Sequence, residues 1–258
     1  MAHIDPRASV SPGAELADDV EVGAFAVIGP DVVIGAGTKI APHAMVMGPT
    51  VLGRNNHVFQ FASVGEAPQD LKYKGEPTRL EVGDNNVFRE CTTIHRGTVT
   101  GHAVTRIGSH CLFMAYSHVA HDCIVGDRCV LSNATALAGH VELGDFVILS
   151  GYAGIHQFCK VGAHAFLANN AAVTRDVPPF LMVAGSPAEP KGINAEGLKR
   201  RGFTPEQVAN IKQAYRILYR SKLKLTEATE QLTEFARTAP EVQPFVDFLP
   251  RITRSLIR

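Results

Sequence analysis

An apolar side chain returns at every sixth position through most of the first three quarters of this chain. The series runs Ile4, Val10, Leu16, Val22, Ile28, Ile34, Ile40, Val46, Leu52, Val58. After an interruption it resumes as Ile107, Phe113, Val119, Val125, Leu131, Leu137, Leu143, Leu149, Ile155, Val161, Leu167, Val173. So unbroken a series has a chance probability on the order of 10⁻⁸. Four places further on, each hexad carries a small or β-branched residue, such as Ala8, Ala14, Ala44, Cys111, Ser117, Cys123, Ala153 and Ala165. A period of six without a helical stripe predicts short strands separated by sharp corners. Three such sides close a triangular coil, and coils stacked about 4.8 Å apart make a prism in which each coil pairs only with its neighbours. The fold class is therefore mainly β, a parallel β-helix. Glycine recurs in second place (Gly23, Gly29, Gly35, Gly53, Gly108, Gly126, Gly144, Gly162). It is expected there to turn the corner through positive φ.

Two segments break the period, near 66–81 and 97–106, and are expected to loop out, where chemistry is often placed on a rigid scaffold. The repeat ends near Pro178-Pro179, which assigns the prism to residues 1–190 and a C-terminal α-helical domain to 191–258. Thr204-Pro205-Glu206-Gln207 reads as a capping box, followed by the stripe Val208, Ile211, Tyr215, Leu218. Further helices are expected near 226–237 and 244–254.

A net charge of zero conceals an asymmetry. Residues 1–190 hold 12 basic against 18 acidic side chains, and residues 191–258 hold 13 against 7. The basic tail suits an acidic partner. No apolar run is long enough to span a bilayer, and Met1–Pro6 has neither the basic nor the hydrophobic region of a secretory leader. A cytoplasmic protein is expected, with neither a membrane span nor nucleic-acid binding. Four of the five cysteines (Cys111, Cys123, Cys129, Cys159) fall in the small inward place and read as core filler. They lack the convergent spacing of a metal site or a disulfide frame.

The pattern aliphatic-Gly-x-x-small-x resembles the hexapeptide-repeat acyltransferases, and the left hand of the coil follows from that resemblance, since ordinary parallel crossovers are right-handed. Six ordered motifs narrow it. They are Gln69-Asp70-Leu71-Lys72-Tyr73-Lys74-Gly75-Glu76-Pro77-Thr78-Arg79, Thr93-Ile94-His95-Arg96-Gly97, His118-Val119-Ala120-His121-Asp122-Cys123, Leu137-Ala138-Gly139-His140-Val141, His156-Gln157-Phe158 and Glu196-Gly197-Leu198-Lys199-Arg200-Arg201-Gly202-Phe203. Over essentially the whole chain they resemble the UDP-N-acetylglucosamine O-acyltransferases of the lipid A pathway.

That resemblance implies transfer of a β-hydroxyacyl chain from acyl carrier protein to the 3-hydroxyl of UDP-N-acetylglucosamine by a homotrimer. It implies no cofactor, the phosphopantetheine thioester being a co-substrate, and no metal. Such chemistry needs a base for the hydroxyl proton and donors for the oxyanion. A histidine titrating near its ordinary value of about 6.5 is largely neutral at cytoplasmic pH and suits the first role. By resemblance His121 is the base, Asp122 orients it, and the Gly139 N–H holds the oxyanion. One coil of hexads separates 121 from 139 and 122 from 140, so these groups should stack. Lys72, His118 and His140 are expected on the glucosamine, His156 and Arg201 on the phosphates, and Gln157, Asn194 and Glu196 near the nucleoside. Asp70 is expected at the acyl hydroxyl, Gln69 and Arg200 are further substrate contacts, and Arg200 also belongs to the basic tail. Asn169 stands where relatives accepting long chains carry Gly, so it is expected to shorten the acyl groove. His121 and His140 should point outward, wet in a lone chain. His110 and His164 lack a motif and read as structural. A zinc enzyme of the carbonic-anhydrase type needs three converging histidines that His118-x-x-His121 does not supply at that family's spacing. A binding scaffold would not need the His121/Asp122/Gly139 grouping. A 3-amino sugar nucleotide as acceptor fits the same residues.

Overall fold

A computed structural model describes residues 1–258, in which the hexads form 28 short strands, from His3–Ile4 to Glu189–Ile193, in three sheets of eleven, nine and eight. The sheets are the faces of a left-handed parallel β-helix, called here first, second and third in the order the chain visits them. Ile4 pairs with Val22 on the first face, Val10 with Ile28 on the second and Leu16 with Ile34 on the third, each eighteen residues on. Two coils are longer. Val58 pairs with Phe88 and Val82 with Ile107, thirty and twenty-five residues apart, so insertions add twelve and seven residues to their coils. Both leave the end of a second-face strand, Ser63–Glu66 or Thr93–His95, and rejoin at a third-face strand, Arg79–Val82 or Val104–Ile107. They therefore drape over one corner of the prism. Between them Val82, Phe88 and Ile94 keep the hexad register and are buried, completing the aliphatic series across its gap.

The glycines do a different job from the one expected. Positive φ falls in the fourth place of the hexad and is borne by side-chain-bearing residues, among them Phe25, His43, Asp122 and His140 at 59°, 61°, 59° and 63°. Each left-handed residue costs roughly 1–2 kcal/mol, a strain the stacked coils must hold in place. The second-place glycines have ordinary φ but face the next coil: a Cβ on Gly23 would lie 2.6 Å from Pro42 N, and one on Gly126 would lie 2.8 Å from Gly144 C. Close approach between coils, not a left-handed turn, selects glycine there.

Inside, the repeated large and small residues form one continuous core from Val20 through the helical tail. Four cysteines are buried and all five are free thiols; burial pushes the Cys123 thiol up to about 12, so it is chemically silent. The coils end in an antiparallel hairpin, Leu181–Ala184 with Glu189–Ile193. Four helices follow, α1 (Ala195–Arg200), α2 (Pro205–Tyr219), α3 (Leu225–Ala236) and α4 (Gln243–Phe248). The capping box forms, with Thr204 accepting from the Gln207 N–H and Gln207 from the Thr204 N–H. The last helix is shorter than expected. Pro250 cannot donate to a continuing helix, so Leu249–Arg251 is a 3-10 turn and the tail bends away from it, the Thr253 and Arg254 N–H groups bonding the buried Asp176 carboxylate.

Candidate active site

The corner between the second and third faces, the one both insertions cover, gathers the candidate chemistry. Successive coils place His121-Asp122, Gly139-His140 and Gln157-Phe158 there in register. The His140 N–H donates to the His121 carbonyl at 3.0 Å and the Phe158 N–H to the Gly139 carbonyl at 3.1 Å. His121 Nδ1 lies 2.9 Å from Asp122 Oδ2. Asp122, buried, also accepts from the Thr98 hydroxyl at 2.6 Å and from the Thr98 and His102 N–H groups at 3.0 and 2.8 Å. Burial alone would raise this carboxyl; the bonds from His121, Thr98 and His102 outweigh it and hold it at about 2. An ionised carboxylate only accepts, so Nδ1 of His121 carries the proton and Nε2 keeps a free lone pair.

Gly139 completes the arrangement. Its N–H donates to no acceptor in the chain, as is also true of His121 and Gln157 in the same place of their hexads, but Gly139 alone has no side chain to cover it. The ring of His140 meets His121 edge-on at 5.1 Å and stacks on Phe158 at 4.4 Å. Burial lowers the His140 pKa, against the opposing pull of Asp122 and, from the first insertion, Asp70. The expected wetness of these histidines is not found: their side chains are 16% and 14% exposed, and the loop carrying Thr98 and His102 is bonded to the Asp122 carboxylate beside them. His121, Asp122 and His140 also present three ligand atoms within 4.8 Å of one another, a spacing that a cation accepts. Only two are histidines, however, and both Asp122 oxygens are already occupied by hydrogen bonds.

Around this centre, His118 faces out of the second face with Nδ1 2.7 Å from the Thr93 hydroxyl, and His156 and Gln157 are exposed one coil beyond Gly139. Gln69, Asp70 and Lys72 lie on the first insertion, the Lys72 N–H bonding Asp70 Oδ1 at 2.9 Å. Arg96 ties that insertion down, donating to the Gly48 and Gly65 carbonyls and to the Tyr73 hydroxyl.

A second group lies elsewhere. Arg201 donates to the Phe146 carbonyl at 2.9 Å and Asn194 to the His164 carbonyl at 3.0 Å, both at the corner between the third and first faces. The Asn194 amide oxygen caps α1 through the Gly197 N–H, while Glu196 and Arg200 are exposed and paired with each other. Asn169 is exposed at the remaining corner, between the first and second faces. His164 is structural, stacked between Phe146 and Phe180, and His110 is exposed.

Sequence reasoning missed Thr98, the His102 N–H and Thr105, whose hydroxyl accepts from the Asp122 N–H at 2.8 Å. Their only signal was position, inside the second break in the period. Phe158 entered the sequence reading only as part of a motif, although the eighteen residues between it and His140 are the same one-coil spacing that stacks the two rings.

Comparison with known proteins identifies the family. Residues 176–257 match the model for domain 2 of UDP N-acetylglucosamine O-acyltransferase, and residues 105–139 match the bacterial transferase hexapeptide model. Proteins named acyl-acyl-carrier-protein–UDP-N-acetylglucosamine O-acyltransferase from Stutzerimonas stutzeri and Thiobacillus denitrificans are 53% and 55% identical over the full length of both chains. The crystal structure of UDP-N-acetylglucosamine acyltransferase from Francisella novicida superposes with a TM-score of 0.97 at 45% identity, covering 100% of this chain and 94% of that one. The Arabidopsis counterpart gives 0.83 at 34%, covering 99% and 100%. At these identities over entire chains, this chain belongs to the UDP-N-acetylglucosamine O-acyltransferase family.

Proposed function

We propose that this chain moves a β-hydroxyacyl group from the thioester of acyl carrier protein to the 3-hydroxyl of UDP-N-acetylglucosamine, the first step of lipid A biosynthesis. The observation that carries this reading is the stack of Asp122, His121 and the unbonded Gly139 N–H at one covered corner. His121 Nε2 takes the hydroxyl proton as the sugar oxygen attacks the thioester carbon. The carbonyl oxygen becomes an oxyanion that the Gly139 N–H holds. Collapse breaks the C–S bond, and the proton on His121 passes to the departing sulfur, leaving the base neutral for the next turn. Asp122 stays ionised, fixing the tautomer of His121 and stabilising its cationic form. In this reading Lys72, His118 and His140 hold the glucosamine, His156 and Arg201 the phosphates, Gln157, Asn194 and Glu196 the nucleoside, and Asp70 the acyl hydroxyl. The reaction as proposed uses no resident cofactor.

The active species is a homotrimer with composite sites. Within one chain, His121 and Arg201 occupy different corners of a triangular prism, so one nucleotide reaches both only where two prisms meet, and three-fold symmetry closes such contacts into a ring. The test is His121→Ala with hydroxyacyl carrier protein and UDP-N-acetylglucosamine: turnover falls by about 10²–10⁴-fold while nucleotide binding persists. Mixed trimers of His121→Ala and Arg201→Ala subunits recover part of the activity. Near-native turnover of folded His121→Ala removes the base, and a better rate with a 3-amino sugar nucleotide changes the acceptor.

A further inference from the structure

Two hollows flank the catalytic corner. On the second face a trough is floored by Ala136, Gly154 and Ala172 beside His118, apolar and suited to a hydrocarbon chain. On the other side, toward the third face, lies a cavity of about 680 Å³ with a different chemistry, lined by Thr100, His102, His140, Lys160, Thr253 and Arg254 among others. It shares His140 with the base, and the His102 N–H bonds Asp122. Apart from His140, none of its lining residues has a role in the mechanism above.

Its charges are held in place. Lys160, 16% exposed, has Nζ 3.2 Å from the Thr253 hydroxyl and 3.5 Å from Glu142. Glu142 is already shared with Arg251, at 2.6 Å. Arg254 is fixed through its N–H to the buried Asp176, and its guanidinium lies 5.2 Å from the centre of the Phe158 ring with no carboxylate partner. The cavity thus carries cationic charge that its one carboxylate does not neutralise, beside hydroxyl and imidazole donors, which is the chemistry of a phosphate ester site. From the His121 ring through His140 and Phe158 to the Arg254 guanidinium the steps are 5.1, 4.4 and 5.2 Å, so the cation is at most about 15 Å from the base. The pantetheine arm between thioester and phosphodiester has the length of about four extended residues, roughly 14 Å.

Building on the acyl-transfer reading, we propose that the cavity between the His140–Phe158 stack and the C-terminal tail is an anion subsite, in which Arg254 and Lys160 hold the phosphodiester of the donor's pantetheine arm. Arg254 and Lys160 are binding residues and touch no reacting atom.

The experiment compares two carrier-free donors, a hydroxyacyl pantetheine with and without its 4′-phosphate, on wild type, Arg254→Gln and Arg254→Lys. Wild type favours the phosphorylated donor by about tenfold in kcat/KM, as loss of one charge-assisted contact implies. In Arg254→Gln that preference falls to about onefold, and Arg254→Lys restores part of it. Calorimetry of the phosphorylated donor binding to wild type and Arg254→Gln reads the same contact without turnover, so a failure of the acyl-transfer reading does not hide the result. An unchanged preference and affinity in Arg254→Gln overturns the subsite. So does a rise in KM confined to UDP-N-acetylglucosamine, which would give the cavity to the nucleotide's diphosphate.

Discussion

The imidazole of His121 lies so close beneath Gly139 that a Cβ on the glycine would stand 2.6 Å from His121 Cε1 and 2.7 Å from Nε2. One coil thus delivers the base to the N–H on the next, and any side chain at 139 must push the ring aside. In Gly139→Ala we expect kcat to fall about 10²-fold through misplacement of the base, with little change in nucleotide affinity. Steady-state kinetics together with nucleotide calorimetry check this. A fully active Gly139→Ala would mean that the ring does not occupy this place during turnover.

Acid should destabilise the fold through groups at this corner and at the one where Arg201 docks. His95 and His164 are held down to about 4 by burial, His118 adding its charge at the first and Arg201 at the second. Unfolded histidines titrate near 6.5, so between about pH 6.5 and 4 the unfolded chain binds more protons and stability falls as pH falls. Asp122, held at about 2 against about 3.9 when unfolded, contributes stability that is complete above about pH 4 and is lost below it. Chemical denaturation between pH 7 and 3 should show the first loss beginning near pH 6.5. Replacing His95 by Gln should flatten that part of the profile, and a profile unchanged in His95→Gln would deny this histidine its share.

Most of the prism was legible in the sequence because Val119 and Leu137 obey a strict period, and a strict period leaves few ways to stack. The pairing of 121 with 139 followed from the same count. The role of the second-place glycines did not, since contact between backbones of different coils leaves the same mark in a sequence as a left-handed turn. The support of Asp122 was also hidden: Thr98 and Thr105 are ordinary residues, and Asp122, their partner, lies seventeen or more positions away. The separation of Arg201 from His121 onto different corners became visible only once the tail's docking against Phe146 and His164 was known.

The basic tail offers a docking test. Lys212, Arg216, Arg220 and Lys222 are exposed on or just beyond α2, and none of them has a carboxylate within 4 Å, in contrast to Arg200, which pairs with Glu196. Exposed charges attract over about 8 Å at physiological salt. The KM for acyl carrier protein should therefore rise several-fold between low and physiological ionic strength, while that for UDP-N-acetylglucosamine moves little. Combined replacement of Arg216 and Arg220 by Gln should remove much of this sensitivity. Equal salt dependence for both substrates would count against a docking role.

The apolar trough bears on acyl length. Its floor climbs the second face through Ala136, Gly154 and Ala172, small residues stacked coil on coil that leave room for a chain leaving the thioester at His121. Asn169 belongs to the same coil as Ala172 and stands at the far edge of that face, exposed, beside Asn170 in a left-handed backbone. A chain running up and across the face from His121 meets this corner last. An amide there opposes a terminal methyl, since burying its polar atoms without partners costs about 1–3 kcal/mol. Each methylene denied burial forfeits about 0.8 kcal/mol, so two carbons beyond the stop lose somewhat more than a tenfold preference. We expect wild type to favour hydroxyacyl chains of about 10 to 12 carbons over 14, and Asn169→Gly to shift the preference toward 14 by about tenfold without altering the KM for the sugar nucleotide. Competition among the three carriers on both proteins measures the ratio directly. An identical ratio in Asn169→Gly assigns the stop to other residues, and a mutant that loses activity on every chain length alike points instead to the turn that Asn169 and Asn170 make between the first and second faces.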